Sequence, residues 1–138
     1  MALFSAPPGV GMRQGAPAEV PVGSVAEFIA AASDAVVAFQ PETRVVAFGH
    51  VGDGNIHFNL SQPVEMDGQE FLNLRDGLAR VVYDVVEQFS GSISAEHGVG
   101  QAKREDLKRY KNETELTLMA TLKGALDPDN LLNPGKVI

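Results

Sequence analysis

The hydrophobic positions of the chain form two helical patterns with a short alternating region between them. From Ser24 onward, apolar residues recur at steps of three and four, which predicts a helix that Pro41 closes. Ser24 and Glu27 have the spacing of a capping box at the start of this helix. A second pattern predicts one long helix from Asp67 to Phe89, ended by Gly91. Its apolar side is formed by Phe71, Leu74, Leu78, Val82, Val85 and Phe89.

The segments between and beside these helices are predicted to be short strands. Arg44 to His50 and Asn55 to Ser61 have strand character, and the intervening Gly-Asp-Gly is a hairpin signal. Ala18 to Val22 is predicted as a first strand, and the alternating Ser92 to Glu96 as a last one. The order of strands and helices predicts an α+β fold, with a ferredoxin-like antiparallel sheet covered by helices on one face.

The two ends of the chain differ in character. The segment 1–17 is rich in proline and glycine and is predicted to be a flexible arm, which leaves one domain over 18–138. After Gly100 the chain is predicted to be helical, with Asn112 and Glu115 forming a helix cap. A closing loop is expected over 127–136. The predicted buried stripe of the last helix consists of Leu116, Met119 and Leu122.

Composition and charge narrow the possible functions. The chain has 138 residues and a net charge of -7, which argues against binding to nucleic acid or to an anionic membrane. Its one basic cluster, at 103–111, also contains acidic residues and is interpreted as a solvated helix face. No apolar run approaches the roughly 20 residues that span a bilayer. There is no cysteine. We therefore expect a soluble, cytoplasmic protein without membrane insertion.

Two of the three histidines lie in the predicted hairpin. If Asp53-Gly54 is a two-residue turn, His50 faces His57 across the ladder, with Cβ atoms about 5 Å apart. Two imidazoles at that distance can chelate one ion. Asn59 would join the histidine face. The opposite, apolar face would carry Ala47, Val51, Ile56, Phe58 and Leu60. The alternative, that the histidines are ordinary polar residues on a solvated sheet face, remains open.

The third histidine follows a carboxylate in the segment Ser94 to Gly100. Two histidines and a carboxylate often bind Zn²⁺ or Mn²⁺ with coordination positions left for a substrate, and Glu96 could supply the carboxylate. Neighbouring side chains of an extended segment point to opposite faces, so His97 is not expected to bind the same ion without a bend. A neutral histidine beside the ion is suited to accept a proton. Helix capping ahead of Gln101 is the alternative.

Three blocks of sequence, at 49–57, 94–100 and 127–136, together resemble one family, the C-terminal domain of FAD-linked oxidases that act on D-2-hydroxy acids. The resemblance extends over roughly 20–138. It implies that His50, His57 and Glu96 bind a divalent metal, Zn or Mn, and that Asn59 contacts the substrate. It further implies that His97 takes the hydroxyl proton while hydride passes to FAD.

The sequence also departs from this family. It offers no dinucleotide or flavin motif after a strand, so FAD is expected in the parent enzyme or on a separate flavin-domain chain. Asn133 and Lys136 would lie near that flavin domain. A lysine that family members carry before the first strand is missing. We therefore expect a truncated substrate domain, inactive alone, whose exposed sheet edge favours a homo-oligomer. The alternatives are a non-catalytic or vestigial metal-binding module and, less favoured, a metal hydrolase.

Overall fold

A three-stranded antiparallel sheet with helices on one face forms the first unit of the structure. The computed structural model describes residues 12–138, which group into one compact unit that ends at Glu96 and another that begins at His97. The strands have the spatial order β1-β3-β2. The predicted α+β class is confirmed. The elements of the first unit are β1 (Arg13–Glu19), α1 (Val25–Phe39), β2 (Arg44–His50), β3 (Asn55–Ser61), α2 (Gly68–Asn73) and α3 (Arg75–Gln88).

The central strand β3 supplies the middle of the core. Its alternate residues Ile56, Phe58 and Leu60 are buried on the face that α1 covers, which we call the inner face. The ring of Phe28 on α1 lies 5.9 Å from that of Phe58 and 6.0 Å from that of Phe89. Burying such a side chain stabilises the fold by about 1.5 to 3 kcal/mol. The opposite, outer face of the sheet keeps exposed side chains, among them Phe48 of β2.

The first strand begins earlier than predicted. It spans Arg13–Glu19 and pairs with β3 along its whole length, whereas the sequence predicted a strand over Ala18 to Val22. The inner-facing Gln14 is buried and donates a hydrogen bond to the carbonyl of Phe71 at 2.6 Å, which fixes the beginning of the strand. Part of the predicted flexible arm is therefore strand. Residues 1–11 of that arm lie outside the described residues.

The predicted last strand, Ser92 to Glu96, is wrong. Ser92 forms a single bridge with Glu19, through two backbone hydrogen bonds of 2.9 and 2.7 Å, and the chain then turns away. The preceding Gly91 approaches the carbonyl of Glu19 so closely that a Cβ atom would collide with it. A glycine is therefore required beside this bridge. The ferredoxin-like arrangement, which has four strands, stays a prediction.

The structure differs from the prediction in two helical details. The predicted helix from Asp67 to Phe89 is interrupted at Leu74, which separates α2 from α3. The predicted capping box at Ser24 is absent, because a 3₁₀ turn over Val22–Ser24 already places Ser24 near helical backbone angles and its side chain makes no cap hydrogen bond. The side chain of Asp67 does cap α2, accepting hydrogen bonds from two backbone N–H groups.

One segment is long and apolar enough to cross a membrane, contrary to the prediction that none is. It runs from Val22 to Phe39 and includes all of α1. The core helix of a globular domain passes the same test, and α1 buries Val25, Phe28, Ala32 and Val36 against the rest of the first unit. The segment is thus weak evidence for a membrane span. The cytoplasmic location stays a prediction.

The second unit contains α4 (Arg104–Tyr110) and α5 (Glu113–Leu126). The predicted cap of α5 is confirmed, since the side chain of Asn112 accepts a hydrogen bond of 2.9 Å from the N–H of Glu115. The predicted buried stripe is wrong: no residue of α5 is buried within the described chain, and Leu122 is 62% exposed. Leu116 and Met119 are half-buried, so the described residues cover this stripe only in part.

Candidate metal centre

The loop between β2 and β3 is longer than predicted and changes the strand register. His50 pairs with Asn55, and His57 pairs with Phe48, so the predicted pair of His50 with His57 is wrong. The connection is not a two-residue turn, because Val51–Asp53 form a 3₁₀ turn that Gly54 closes in the left-handed conformation, with φ 74°. The N–H of Gly54 donates to the carbonyl of Val51 at 3.1 Å.

Both histidines nevertheless lie on the outer face of the sheet. Directly paired residues of antiparallel strands share a face, as do residues two apart on one strand. His57 pairs with Phe48, and His50 stands two residues after Phe48, so the three side chains share the outer face. Asn59 stands two residues after His57 and joins them. Val51, predicted on the apolar face, lies in the loop and is 54% exposed.

Glu96 connects the two histidines. One of its carboxylate oxygens, Oε1, lies 3.0 Å from Nδ1 of His50. The other, Oε2, lies 3.7 Å from Nε2 of His57. Glu96 comes four residues after the bridge between Ser92 and Glu19, which holds this segment to the sheet at the strand end nearest the hairpin loop. Glu96 therefore lies beside both histidines, although the segment that carries it is a bend and not a strand.

Each carboxylate-to-imidazole distance is close to the separation of two ligands on one small divalent ion. Ligand atoms about 2.1 Å from a tetrahedral ion lie roughly 3.4 Å from one another. The two carboxylate-to-ring distances, 3.0 and 3.7 Å, bracket that value. Imidazole nitrogen with carboxylate oxygen is a donor set that suits Zn²⁺ and Mn²⁺. The His50 side chain is 66% exposed and that of Glu96 is 44% exposed, so a small molecule can reach the group from solvent.

Phe48 is a neighbour of the site that the sequence did not reveal. Its ring stacks on the imidazole of His57, with centroids 5.2 Å apart and an interplanar angle of 25°. Phe48 faces His57 only when the hairpin loop has four residues, 51–54, and the predicted two-residue turn placed it elsewhere. A prediction with a four-residue loop would have placed Phe48 beside His57.

The structure also gives the positions of the other predicted site residues, which are Asn59, His97, Asn133 and Lys136. Asn59 is half-buried on the outer face, and its Oδ1 would lie 3.0 Å from a Cβ atom placed on Gly15. A ring nitrogen of His97 lies within 4.8 Å of ligand atoms of Glu96 and His57, because the chain bends at Glu96 and His97. Near the end of the second unit, the N–H of Lys136 donates to the carbonyl of Asn133 at 3.2 Å. The helix-capping alternative for Glu96 and His97 is wrong, because α4 begins only at Arg104.

These features define an α+β domain that presents a histidine and carboxylate donor set on the open face of its sheet. The family of FAD linked oxidases, C-terminal domain, matches residues 18–137. The chain therefore belongs to this family, as its three sequence blocks predicted.

Relatives with assigned activities are similar over most of this chain. D-2-hydroxyglutarate dehydrogenase of Stutzerimonas stutzeri is 39% identical over 118 residues, 86% of this chain and 25% of that protein. D-lactate dehydrogenase of Anaerostipes hadrus is 33% identical over 86% of this chain and 24% of its own length. Glycolate oxidase subunit GlcD of Bacillus subtilis is 32% identical, over 87% and 25%. The chain thus spans about a quarter of the length of these relatives.

Proposed function

We propose that the chain is the substrate- and metal-binding part of an FAD-dependent dehydrogenase or oxidase of D-2-hydroxy acids. The observation that carries the proposal is the meeting of one carboxylate, Glu96, with a ring nitrogen from each of two histidines. The family supports the class of reaction, and the activities of the relatives support the class of substrate.

In this proposal His50, His57 and Glu96 hold a divalent ion, Zn²⁺ or Mn²⁺. Such an ion acts as a Lewis acid that lowers the pKa of a substrate hydroxyl and binds its carboxylate. Nδ1 of His50 and Nε2 of His57, the nitrogens nearest Glu96, must be unprotonated to bind it. Protons therefore compete with the ion for these two nitrogens.

Oxidation of a 2-hydroxy acid to a 2-oxo acid removes a proton from the hydroxyl and a hydride from Cα. His97 accepts the proton at a ring nitrogen, and the amide of Asn59 contacts the substrate on the outer face of the sheet. The hydride acceptor would be FAD, held by another domain or another chain. Asn133 and Lys136 face that flavin domain. On this proposal, the chain alone does not turn over substrate.

The metal site is tested by titrating the full chain with ZnCl₂ and with MnCl₂ in a calorimeter. We expect about one ion per chain, and His57→Ala should weaken binding by more than about 100-fold, since losing only an outer partner of a ligand typically costs 10- to 100-fold. His97→Ala should keep the stoichiometry, because a proton acceptor is not a ligand. Equal metal content in the wild type and His57→Ala would refute the site, and loss of the ion in His97→Ala would make His97 a ligand.

The reaction is tested in a chimaera in which residues 18–137 replace the matching segment of the Stutzerimonas stutzeri relative. The expected result is flavin reduction by D-2-hydroxyglutarate, D-lactate or glycolate, measured by anaerobic bleaching of flavin absorbance. The matched control is the same chimaera with His97→Ala, which should bind metal and FAD but reduce flavin at least about 100-fold more slowly. A folded, metal-loaded chimaera that leaves the flavin oxidised would favour a non-catalytic metal-binding module.

A further inference from the structure

The outer face of the sheet carries one aromatic side chain whose position packing does not explain. Phe48 is 53% exposed on a face that α1 does not cover, whereas Phe58 on the inner face and Phe28 of α1, which packs on it, are fully buried. Its ring is not placed at random. It lies nearly parallel to the imidazole of His57, at a centroid distance of 5.2 Å.

The strand register explains why these rings meet. Phe48 and His57 are directly paired across β2 and β3, so their Cβ atoms leave the sheet side by side on the same face. On the other side of His57, the directly paired residue of β1 is Pro17, which belongs to an edge strand where a missing N–H is tolerated. His57 thus stands between a proline and an aromatic residue in the register, and the aromatic ring covers one face of the imidazole.

Such a stack limits the rotation of the imidazole. The χ2 torsion of histidine is broad when nothing contacts the ring. Turning the ring of His57 away from the observed 25° would break its contact with Phe48, or drive its edge into that ring. In the stacked orientation, Nε2 is directed to Oε2 of Glu96 at 3.7 Å. Orientation of a ring by a neighbour tunes how well it binds a metal.

We propose that Phe48 is a positioning residue that holds the His57 imidazole in the orientation in which Nε2 joins Glu96 and His50 around a divalent ion. This inference rests on the proposed metal site, but it concerns the orientation of a side chain, which can be measured without metal. Phe48 touches neither the ion nor Glu96 in this proposal. It acts only through His57.

The chain offers a matched control. Val46 stands two residues before Phe48 on the same strand and the same face, and it is 48% exposed. It pairs with Asn59 and not with His57. Val46→Ala therefore removes a similarly exposed apolar side chain from the same edge strand while leaving the stack intact. Phe48→Tyr keeps the ring, and Phe48→Leu keeps apolar bulk without a ring.

The first measurement is the dissociation constant for Zn²⁺ of the full chain at one fixed pH. We expect Phe48→Ala and Phe48→Leu to bind about 10-fold more weakly than the wild type, at the lower end of the effect of losing a partner that orients a ligand. The dissociation constants of Phe48→Tyr and Val46→Ala should stay within about twofold of the wild-type value, since each variant keeps an aromatic ring stacked on His57. Thermal unfolding of the metal-free chains shows whether weaker Zn²⁺ binding comes from a loss of folding. Phe48→Leu and Val46→Ala should unfold at similar temperatures, so a difference in their Zn²⁺ affinity would not come from stability.

The second measurement is made without metal. In NMR spectra of the metal-free chain, the ring protons of His57 should be shifted upfield by the ring current of Phe48. The shift should persist in Phe48→Tyr and Val46→Ala and vanish in Phe48→Leu. Wild-type Zn²⁺ affinity in Phe48→Leu would overturn the inference, as would unchanged His57 ring shifts. A wild-type chain that binds no Zn²⁺ would refute the proposed metal function, and the NMR comparison alone would then decide whether Phe48 orients His57.

Discussion

Gly49 lies beside His50, in a backbone conformation that other residues rarely adopt. Its φ is 152°, and a Cβ atom added there would collide with the carbonyl oxygen of Asn55 and lie 3.1 Å from Cα of Ile56. Asn55 and Ile56 begin the central strand β3 and are the register partners of His50 and Gly49. Replacing Gly49 by alanine therefore forces β2 away from β3 at the end of the sheet where the histidines and Glu96 meet.

The cost of Gly49→Ala can be estimated from its two causes. A non-glycine residue in such a backbone region costs about 1 to 3 kcal/mol, and forcing a methyl group into a filled space costs about 1 to 3 kcal/mol more. A loss of about 3 kcal/mol is thus a conservative sum. For a chain of this length, each kcal/mol lowers the unfolding midpoint by about 3 °C, so we expect a decrease of roughly 10 °C.

The assay is thermal unfolding followed by far-UV circular dichroism, together with Zn²⁺ titration of the folded variant at 10 °C below its midpoint. Gly52→Ala is the matched control, because it lies in the same hairpin and a Cβ atom there would meet no heavy atom within 4 Å. That control should change stability by at most about 0.5 kcal/mol. If Gly49→Ala melted and bound Zn²⁺ like Gly52→Ala, the close approach of the two strands at this position would be refuted.

Four further outcomes are expected. Phe28→Ala, which empties a fully buried position between the sheet and α3, should lower the free energy of unfolding by about 3 to 5 kcal/mol in urea titrations. Asn112→Ala should cost about 1 kcal/mol in the same titrations, since it removes the α5 cap. The hydrogen bond from Lys123, and then those from the N–H groups of Leu132 and Leu131, lower the pKa of Asp127. The ionised carboxylate therefore stabilises the fold fully above the ordinary aspartate pKa. This stabilisation is lost as the pH falls through the lowered pKa of the folded state. Asp127→Asn should flatten that part of the acid unfolding curve. The open edge of β2 should favour dimers, and a monomer in light scattering at about 1 mM would contradict this.

Local patterns predicted the elements whose partners lie nearby in the sequence. Alternation predicted the bounds of β2 and β3, and helical periodicity predicted α1 and three of the five buried residues of α3, Leu78, Val82 and Val85. The errors arose where a distant segment decided the outcome. β1 begins at Arg13 because β3 pairs with all of it, and the segment after Ser92 is not a strand because only Ser92 pairs with β1, at Glu19. No periodicity within these segments records those contacts.

The hairpin shows why a wrong register still placed both histidines on one face of the sheet. The predicted turn paired His50 with His57, and the observed loop pairs His50 with Asn55, a shift of two residues. Because side chains along a strand alternate with a period of two, a shift of two keeps each side chain on its face, whereas a shift of one would have moved His57 into the core. The apolar run of Ile56, Phe58 and Leu60 excludes the one-residue shift, since it would expose all three. The common face of the histidines is therefore set by the core, and the loop length decides only which neighbour, Phe48 or His50, stands directly beside His57.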